Sequence, residues 1–199
     1  MSDTPDLPPS SLRADPEAIA RLLQDGEGHD PSRLPPVHLW HPPFCGDIDM
    51  EIRRNGQWFY QGGPINRLPL VKLFSNVLRR EEDGHYYLVT PVEKVRICVE
   101  DAPFVAVTVE RHVEAGIPYL RFTLQTGDVV VADADHPLRI EWRTGDEPHP
   151  YLRVRDRLEA LISRNVYYQL VEWGEEQVVD GRPALVVTSA GERFLLGWL

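Results

Sequence analysis

Hydrophobic and polar residues alternate along this chain from residue 47 onward. Over residues 47–53 every second side chain is apolar, and this period of two predicts a half-buried β-strand. Asn55-Gly56, a pair typical of tight hairpin turns, comes next, and residues 57–60 predict the returning strand. The apolar positions of the first strand are Ile48, Met50 and Ile52.

A helical spacing of apolar residues then replaces the alternation. It predicts an α-helix over residues 66–80, with Pro69 in its first turn and Arg79-Arg80 near its end, where positive charge complements the helix dipole. Residues 86–90 and 94–99 predict two more strands. The pattern therefore predicts a β-β-α-β-β module over residues 47–99.

The second half begins with a predicted β-meander and then resembles the first half. After a turn at Thr144-Gly145 and a further strand, a helix is predicted from about Asp156, and two strands around Asp180-Gly181. The predicted strands before this helix are residues 104–109, 119–124, 129–131, 138–142 and 151–154. The apolar residues assigned to the helix are Leu158, Leu161, Ile162 and Val166.

Short stretches of the two halves are also alike. Leu88-Val89-Thr90 precedes Glu93-Lys94, and Val186-Val187-Thr188 precedes Glu192-Arg193. We infer an α+β fold with two tandem β-β-α-β-β modules, the second enlarged by the meander.

Proline sets the N-terminal region apart, since nine of the 18 prolines lie in the first 43 residues. Asp15 precedes Pro16 and a short apolar pattern, which predicts one amphipathic helix there. The predicted organisation is a proline-rich arm over residues 1–36, a first module over 37–101 and a second module over 102–199.

Composition and charge restrict the function classes. The chain has 199 residues, 42% of them hydrophobic, and its 21 Lys and Arg against 31 Asp and Glu give a net charge of −10. We therefore expect no nucleic-acid partner and no anionic membrane partner. Two cysteines without a CxxC pair, together with the lack of an apolar leader or spanning segment, predict a cytoplasmic protein.

The densest group of potential metal ligands lies between residues 38 and 49. Imidazole, thiolate and carboxylate are usual ligands of zinc or iron. The alternative is a solvated loop, because Pro42-Pro43 keep the local backbone extended. The group consists of His38, His41, Cys45, Asp47 and Asp49.

A glycine-rich turn before the first predicted helix is a candidate anion site. Gly62 and Gly63 lead into the helix, whose free backbone N–H groups attract anions, and Arg67 could add a forked pair of donors. Trp58 and Tyr60, two apart on one strand, could stack a planar base, and core packing is the alternative. Arg155, in a row with Arg153 and Arg157, could meet an acidic ligand or form a solvated face.

Four runs of the sequence, residues 37–50, 56–60, 88–94 and 99–104, resemble an uncharacterised proteobacterial family that is catalogued as a domain of unknown function. The resemblance implies a duplicated α+β core, a second domain superficially like pleckstrin homology folds, and a ligand site at the interface between domains. It also implies a nucleotide-like ligand and a role in signal transduction. The positions within the matching runs that it assigns to the site are Asp47, Trp58, Tyr60, Glu93, Lys94, Glu100 and Asp101.

Three function classes follow from these observations. The first is a non-enzymatic small-ligand binding protein with a signalling partner, without a catalytic residue, metal or resident cofactor. The second is a metal-assisted hydrolase or acid-base enzyme that uses His38, His41, Asp47 and Asp49. The third is a protein-interaction scaffold.

Overall fold

A computed structural model describes residues 34–143 and 147–199. The helix predicted after Asp15 and the turn predicted at Thr144-Gly145 lie outside the described residues. The chain divides into two compact units. Of the described residues, the first unit holds 34–53 and Gln57–Glu100, and the second holds Arg54–Gly56 and Asp101–Leu199.

A six-stranded sheet forms most of the first unit. Its strands are β1 (Phe44–Ile52), β2 (Trp58–Tyr60), β3 (Gly63–Pro64), β4 (Leu78–Arg80), β5 (Tyr86–Val89) and β6 (Lys94–Val99). In spatial order they run β3-β2-β1-β6-β5-β4. All neighbours are antiparallel except β1 and β6, which are parallel. The hairpin predicted around Asn55-Gly56 is confirmed, because Ile52 pairs with Trp58 across it.

One helix, α1 (Leu68–Asn76), supplies apolar side chains to the first unit. It buries Leu70, Val71, Leu73 and Phe74, and the Phe74 ring stacks on Trp58 with 6.1 Å between the ring centroids. The prediction of a helix over residues 66–80 was too long, since Leu78–Arg80 form β4 and Leu78 pairs with Leu88. Three residues are too few to show the period of a helix or of a strand, and here pairing with β5 decides.

A second apolar cluster lies around the 3-10 helix Val37–Leu39 that precedes β1. Val37 packs with Tyr87 and Val89 of β5, and Trp40 lies against them. The Arg79 Nη1 group donates to the backbone oxygens of Val37 at 3.0 Å and Trp40 at 2.7 Å. Arg79, which the sequence assigned to a helix end, therefore ties the segment before β1 to β4.

The second unit contains two sheets. The strands of the larger sheet are β7 (Phe104–Glu114), β8 (Ile117–Leu124), β9 (Val129–Val131), β10 (Leu138–Arg143), β11 (Glu147–Arg155) and β12 (Leu158–Ile162). Their order is β10-β11-β12-β7-β8-β9, with only β12 and β7 parallel. The smaller antiparallel sheet has the strands β13 (Glu175–Val179), β14 (Arg182–Ser189) and β15 (Glu192–Trp198).

A buried serine joins the two sheets of the second unit. The Ser189 Oγ on β14 accepts a hydrogen bond from the Leu120 N–H on β8 at 2.9 Å, and donates to the Ala132 carbonyl just after β9 at 2.6 Å. Both backbone groups lie in the interior, where an unpaired polar group is costly. Ser189 therefore fixes how β14 lies against β8 and β9.

The helix of the second unit, α2 (Arg164–Trp173), begins later than predicted. Leu158, Leu161 and Ile162, assigned to a helix from about Asp156, lie instead on β12. This strand pairs with β11 on one edge and with Phe104–Ala106 of β7 on the other. Pairing on both edges makes it a central strand, and burial alternates along it. The apolar residues 158, 161, 162 and 166 also fit a helical spacing, which is why the sequence favoured a helix.

The two units repeat one order of elements. In the first unit three strands, α1 and three strands follow each other, and in the second β10 to β12, α2 and β13 to β15 do the same. β1 and β6 are paired in the first unit, and their counterparts β10 and β15 lie in contact in the second. The predicted duplication is confirmed, with a β-β-β-α-β-β-β unit in place of the predicted β-β-α-β-β.

Among residues 34–143 and 147–199, no helix is both long and apolar enough to cross a membrane.

Candidate functional site

A cavity of about 350 Å³ lies in the first unit, where β1 and β6 extend past the start of β5. Alternation along β6 places Val95 and Ile97 in the interior and leaves Arg96 and Cys98 more accessible. The turn before β5 supplies His85. The full lining is Asp47, Ile48, Gly84, His85, Tyr86, Arg96, Ile97, Cys98 and Val99.

A forked ion pair forms part of the cavity wall. Parallel pairing of β1 and β6 brings Asp47 opposite Arg96. The Arg96 Nε and Nη2 groups donate to the two Asp47 carboxylate oxygens at 2.8 and 2.7 Å. These hydrogen bonds raise the pKa of Arg96 further, so the guanidinium stays charged. The side chains are 39% and 59% exposed, so water and solutes reach the pair.

A second charged group lies on the same strand. The Lys94 Nζ donates to the Glu81 carboxylate oxygens at 2.9 and 2.8 Å, and Arg79 donates to the same carboxylate. Burial acts to raise the pKa of Glu81, but the hydrogen bonds from Lys94 and Arg79 outweigh it and the pKa is lowered. Lys94, a predicted ligand residue, therefore neutralises a carboxylate of its own unit.

Tyr87 is oriented by a carboxylate in the turn before β5. Its hydroxyl donates to Asp83 Oδ2 at 2.6 Å, and Asp83 Oδ1 accepts the His85 backbone N–H at 2.9 Å. The hydrogen bond to Asp83, followed by burial, raises the pKa of Tyr87 to about 12. Asp83 thus binds both the backbone of His85 and the side chain of Tyr87, and so fixes the turn that carries His85 into the cavity wall.

Asp101 is the centre of a polar cluster in the second unit. Its side chain is only 5% exposed, and its Oδ1 accepts a hydrogen bond from the Tyr151 hydroxyl at 2.6 Å. Arg143 Nη2 lies 3.4 Å from the same oxygen, and Arg54 Nε lies 3.2 Å from Oδ2. Burial, followed by the hydrogen bond to Asp101, raises the pKa of Tyr151, so its hydroxyl remains a donor.

A histidine of the same cluster has a defined role. His149 is buried, and its Nδ1 lies 2.7 Å from the Arg54 Nη2 group. Arginine can only donate, so Nδ1 is the acceptor and the ring proton of neutral His149 sits on Nε2. All members of the cluster belong to the second unit, and the buried Asp101 Oδ2 is held by the ion pair with Arg54 rather than by a hydrogen bond.

Several predicted ligand residues have structural roles. Trp58 is 1% exposed and stacks on Phe74, so it is part of the core and a ligand could reach it only if the core opened. Tyr60 is half-buried and accepts from Gln61 at 3.4 Å. Gly62 has a φ of 75°, which suits glycine, and Gly63 lies in β3.

Arg67, predicted to bind an anion at the helix start, is the N-cap residue of α1. Its carbonyl accepts the N–H groups of Leu70 and Val71, while its side chain makes no capping hydrogen bond. The helix has Pro69 in its first turn, which lacks an N–H, so fewer donors are available there for an anion.

The remaining predicted positions are spread over the two units. Glu93 is buried, and its backbone N–H donates to the Thr90 hydroxyl at 3.1 Å. Glu100 is exposed and its N–H donates to the Ile52 carbonyl. Arg155 lies over the Phe104 ring at 5.2 Å, and burial lowers its pKa. The structure thus places one predicted residue, Asp47, in the cavity wall.

The residues proposed for a metal centre do not converge. His38 and His41 are exposed, and Asp47 is engaged by Arg96. Within the part of the chain that the structure describes, no three His, Cys, Asp or Glu side chains are grouped to hold a metal ion.

Sequence reasoning missed the residues that complete both clusters. Arg96 and Tyr86 are ordinary strand residues in sequence. Arg54, Arg143 and Tyr151 each lie 42 or more positions from Asp101 in the chain. The alternation along its strand could have placed Arg96 on the polar face. Its partner Asp47 could not be predicted, because the two residues meet only through the parallel pairing of β1 with β6.

These features define a class: an α+β, β-rich protein of two domains, each built on the same order of strands and helix. The profile described as "Domain of unknown function (DUF1285), N-terminal domain" matches residues 35–102, and that of the "Protein of unknown function (DUF1285), C-terminal domain" matches residues 103–196. The chain belongs to the DUF1285 family.

Two solved structures are similar to it. A DUF1285 family protein from Silicibacter pomeroyi DSS-3 is 47% identical, with a TM-score of 0.80, over 93% of this chain and 96% of the other. A DUF1285 family protein from Shewanella baltica OS155 is 29% identical, with a TM-score of 0.50, over 63% of this chain and 91% of the other. No curated protein matches the chain.

Proposed function

We propose that this protein binds a small anionic molecule without transforming it, and that the cavity beside Arg96 holds this ligand. The observation that carries the proposal is a charged guanidinium in the wall of a cavity of about 350 Å³. Ligand pockets usually measure about 300–1,000 Å³, so the space suits a small metabolite or a mononucleotide.

The Asp47–Arg96 pair supports exchange with an anion. Both side chains are accessible to water, which screens their attraction, so an anion can compete with Asp47 for Arg96. A phosphate or carboxylate presents two oxygens with the spacing that Asp47 now offers to Arg96. In this proposal Asp47 occupies the position of the ligand anion until the ligand replaces it.

The rest of the lining supports a ligand with an apolar part. Tyr86, Ile48, Ile97 and Val99 contribute apolar surface around the charged pair. Tyr86 offers a ring edge or face to a planar group, and Arg80 lies 5.3 Å from its ring centroid. A nucleotide-like ligand would combine such a planar group with a phosphate for Arg96.

The proposed role is binding rather than catalysis because the charged group in the wall is suited to recognition. The hydrogen bonds that Arg96 donates to Asp47 hold the pKa of Arg96 above its ordinary value, and an arginine that stays protonated does not transfer protons. The part in signal transduction belongs to the same proposal: the ligand would be the signal.

Likewise, we propose that the second domain is pleckstrin-homology-like, which a superposition on such domains would test.

Thermal unfolding and calorimetry with defined probes test the proposal. The probes are inorganic phosphate, AMP, GMP, their cyclic forms and citrate. A ligand present at 100 times its dissociation constant stabilises the native state by about 2.7 kcal/mol. We expect Arg96→Ala to abolish the stabilisation, and Asp47→Ala to tighten binding, because the competing carboxylate is gone.

Arg53→Ala is the matched control, since Arg53 is an exposed arginine of the same unit that does not line the cavity. Binding should survive this change. Weaker binding in both Arg96→Ala and Asp47→Ala would contradict the displacement of Asp47. Conversion of a bound probe, followed by phosphorus NMR, would contradict a non-enzymatic role.

A further inference from the structure

Strand β7 is paired along its whole length on only one edge. On one side β8 pairs with it from Ala106 to Glu114. On the other side β12 pairs only with Phe104–Ala106, and the Ser163 N–H makes a final hydrogen bond to the Ala106 carbonyl at 3.0 Å. The chain then enters α2, so no described strand covers residues 107–114 on that edge.

An uncovered edge is a template for another strand. Alternate residues of a strand direct their N–H and C=O groups to opposite edges, so about half of those of residues 107–114 point away from β8. This stretch is exposed apart from Val109. It spans roughly 26 Å at the usual rise per residue, long enough for a peptide to pair with it.

Helix α2 forms the other wall of a groove beside the first three residues of this stretch. A cavity of about 600 Å³ lies between Val107–Val109 and the helix. Asn165, Tyr168, Gln169 and Glu172 line it and follow the i, i+3, i+4, i+7 spacing of one helix face. Val107 and Tyr168 are 44% and 56% exposed, so the groove offers apolar contact as well as backbone groups.

We propose that an extended basic peptide of a partner protein binds in this groove by adding a strand to β7 at residues 107–114. Backbone hydrogen bonds to the open edge would supply affinity, and the side chains of α2 would select the sequence. This groove shares no lining residue with the cavity beside Arg96, and the proposal does not depend on that cavity.

Charge selects this occupant over a second copy of the chain. The groove and the open stretch carry Glu110, Glu114 and Glu172 against Arg111, while Arg164 at the start of α2 is engaged by Glu147 at 3.0 Å. The whole chain has a net charge of −10. Two such edges would repel each other, whereas lysine or arginine side chains would be attracted.

Fluorescence anisotropy with a labelled heptapeptide of alternating valine and lysine tests the proposal on the full chain. We expect saturable binding, and a loss of about ten-fold or more when alternate peptide nitrogens are methylated, because methylation removes backbone donors. Amide hydrogen exchange should slow at residues 107–114 when the peptide is bound. Equal binding of the methylated peptide, or protection elsewhere, would overturn the proposal.

Charge reversal at the surface provides a second test that leaves the core intact. Glu172→Lys should weaken peptide binding about five-fold or more, and the matched control Glu82→Lys, an exposed carboxylate that lines no part of the groove, should change it little. If both variants weakened peptide binding equally, the peptide would be attracted by the net charge of the protein alone, and the proposed site would be wrong. Self-association that protects residues 107–114 without peptide would instead assign the edge to a second copy.

Arg96→Ala separates this proposal from the small-ligand proposal. It should leave the affinity for the valine-lysine peptide unchanged. If Arg96→Ala lost both small-anion binding and peptide binding, the two sites would not be independent.

Discussion

The Tyr151 hydroxyl donates a hydrogen bond of 2.6 Å to the carboxylate of Asp101, a residue 50 positions earlier in the chain. Asp101 directly follows the end of the first unit, and Tyr151 lies in the middle of β11. Arg54 and Arg143 flank the same carboxylate. A buried charge at the first residue of the long segment of the second unit is thereby compensated from two other parts of that unit.

Removal of this carboxylate should destabilise the second unit. Asp101→Ala leaves the Tyr151 hydroxyl without its acceptor and deprives two arginines of a counter-charge. We expect a loss of about 2 kcal/mol, below the 3–5 kcal/mol seen when one member of a fully buried pair is removed, because both arginines are nearly half exposed. Urea unfolding measures it.

Glu100→Ala is the control for that measurement, since it removes the same charge from the exposed neighbouring position. Its effect should stay within about 0.5 kcal/mol. Equal losses in the two variants would mean that net charge, and not the buried contacts, determines the effect.

The hairpin glycine Gly56 should tolerate no side chain. Its φ is 81°, and a Cβ would lie 3.0 Å from both Gln125 Nε2 and Val105 Cγ2. Gly56→Ala therefore adds crowding to the cost of about 1–2 kcal/mol for a left-handed backbone. Gly62 has a φ of 75°, but a Cβ there would meet open space. Gly62→Ala should therefore lower the stability only by the cost of the left-handed backbone. Thermal unfolding compares them, and equal losses would exclude the crowding.

The serine that joins the two sheets of the second unit should be sensitive to loss of its hydroxyl. Ser189→Ala leaves the Leu120 N–H and the Ala132 carbonyl without their shared partner, at an expected cost of about 1–3 kcal/mol. Ser75→Ala is the comparison, because this buried serine bonds a carbonyl of its own helix three residues away. Urea unfolding should show a smaller loss there; a reversed ranking would contradict the role of Ser189.

Tyr87 should ionise later than an ordinary tyrosine. Its pKa is about 12 in the folded protein against an ordinary value of 10.0. A raised pKa stabilises the fold while the unfolded chain is still protonated, so this contribution is complete below pH 10 and is lost as the pH rises toward 12. Ultraviolet titration of phenolate formation should show a late-ionising group.

Asp83→Asn should move that late ionisation toward the ordinary range, because the acceptor of the Tyr87 hydroxyl loses its charge. Tyr87→Phe identifies the group, since it should remove one late-ionising phenol and leave the late ionisation of Tyr151 in place. A titration unchanged by Asp83→Asn would show that burial alone delays the ionisation.

Much of the β-structure could be predicted from local patterns. Residues 47–53 alternate because one face of β1 is buried and the other is solvated, and Asn55-Gly56 turns the chain where the hairpin forms. Leu88-Val89-Thr90 and Val186-Val187-Thr188 resemble each other. The first lies at the end of β5, with Thr90 directly after the strand, and the second lies on β14, which occupies the equivalent place in its unit. Local pattern was sufficient for these strands.

Two strands, one short and one central in its sheet, were not predicted from the sequence. Leu158–Ile162 was assigned to a helix because its apolar residues, together with Val166, have a helical spacing, although burial along β12 alternates. Leu78–Arg80 was added to α1 because three residues carry too little pattern to distinguish strand from helix. Only pairing with distant strands decides these segments.

The sequence by itself determined the alternating strands, the hairpin turn, the duplication and the acidic charge, because each is encoded by neighbouring residues or by composition. The tertiary structure decided which charges meet. Asp47 faces Arg96 because β1 and β6 run parallel, and Trp58 enters the core because Phe74 of α1 lies against it. The open edge of β7 likewise exists only because β12 ends at Ile162 and α2 begins beside it. Such contacts depend on strand order, which residues nearby in sequence do not encode.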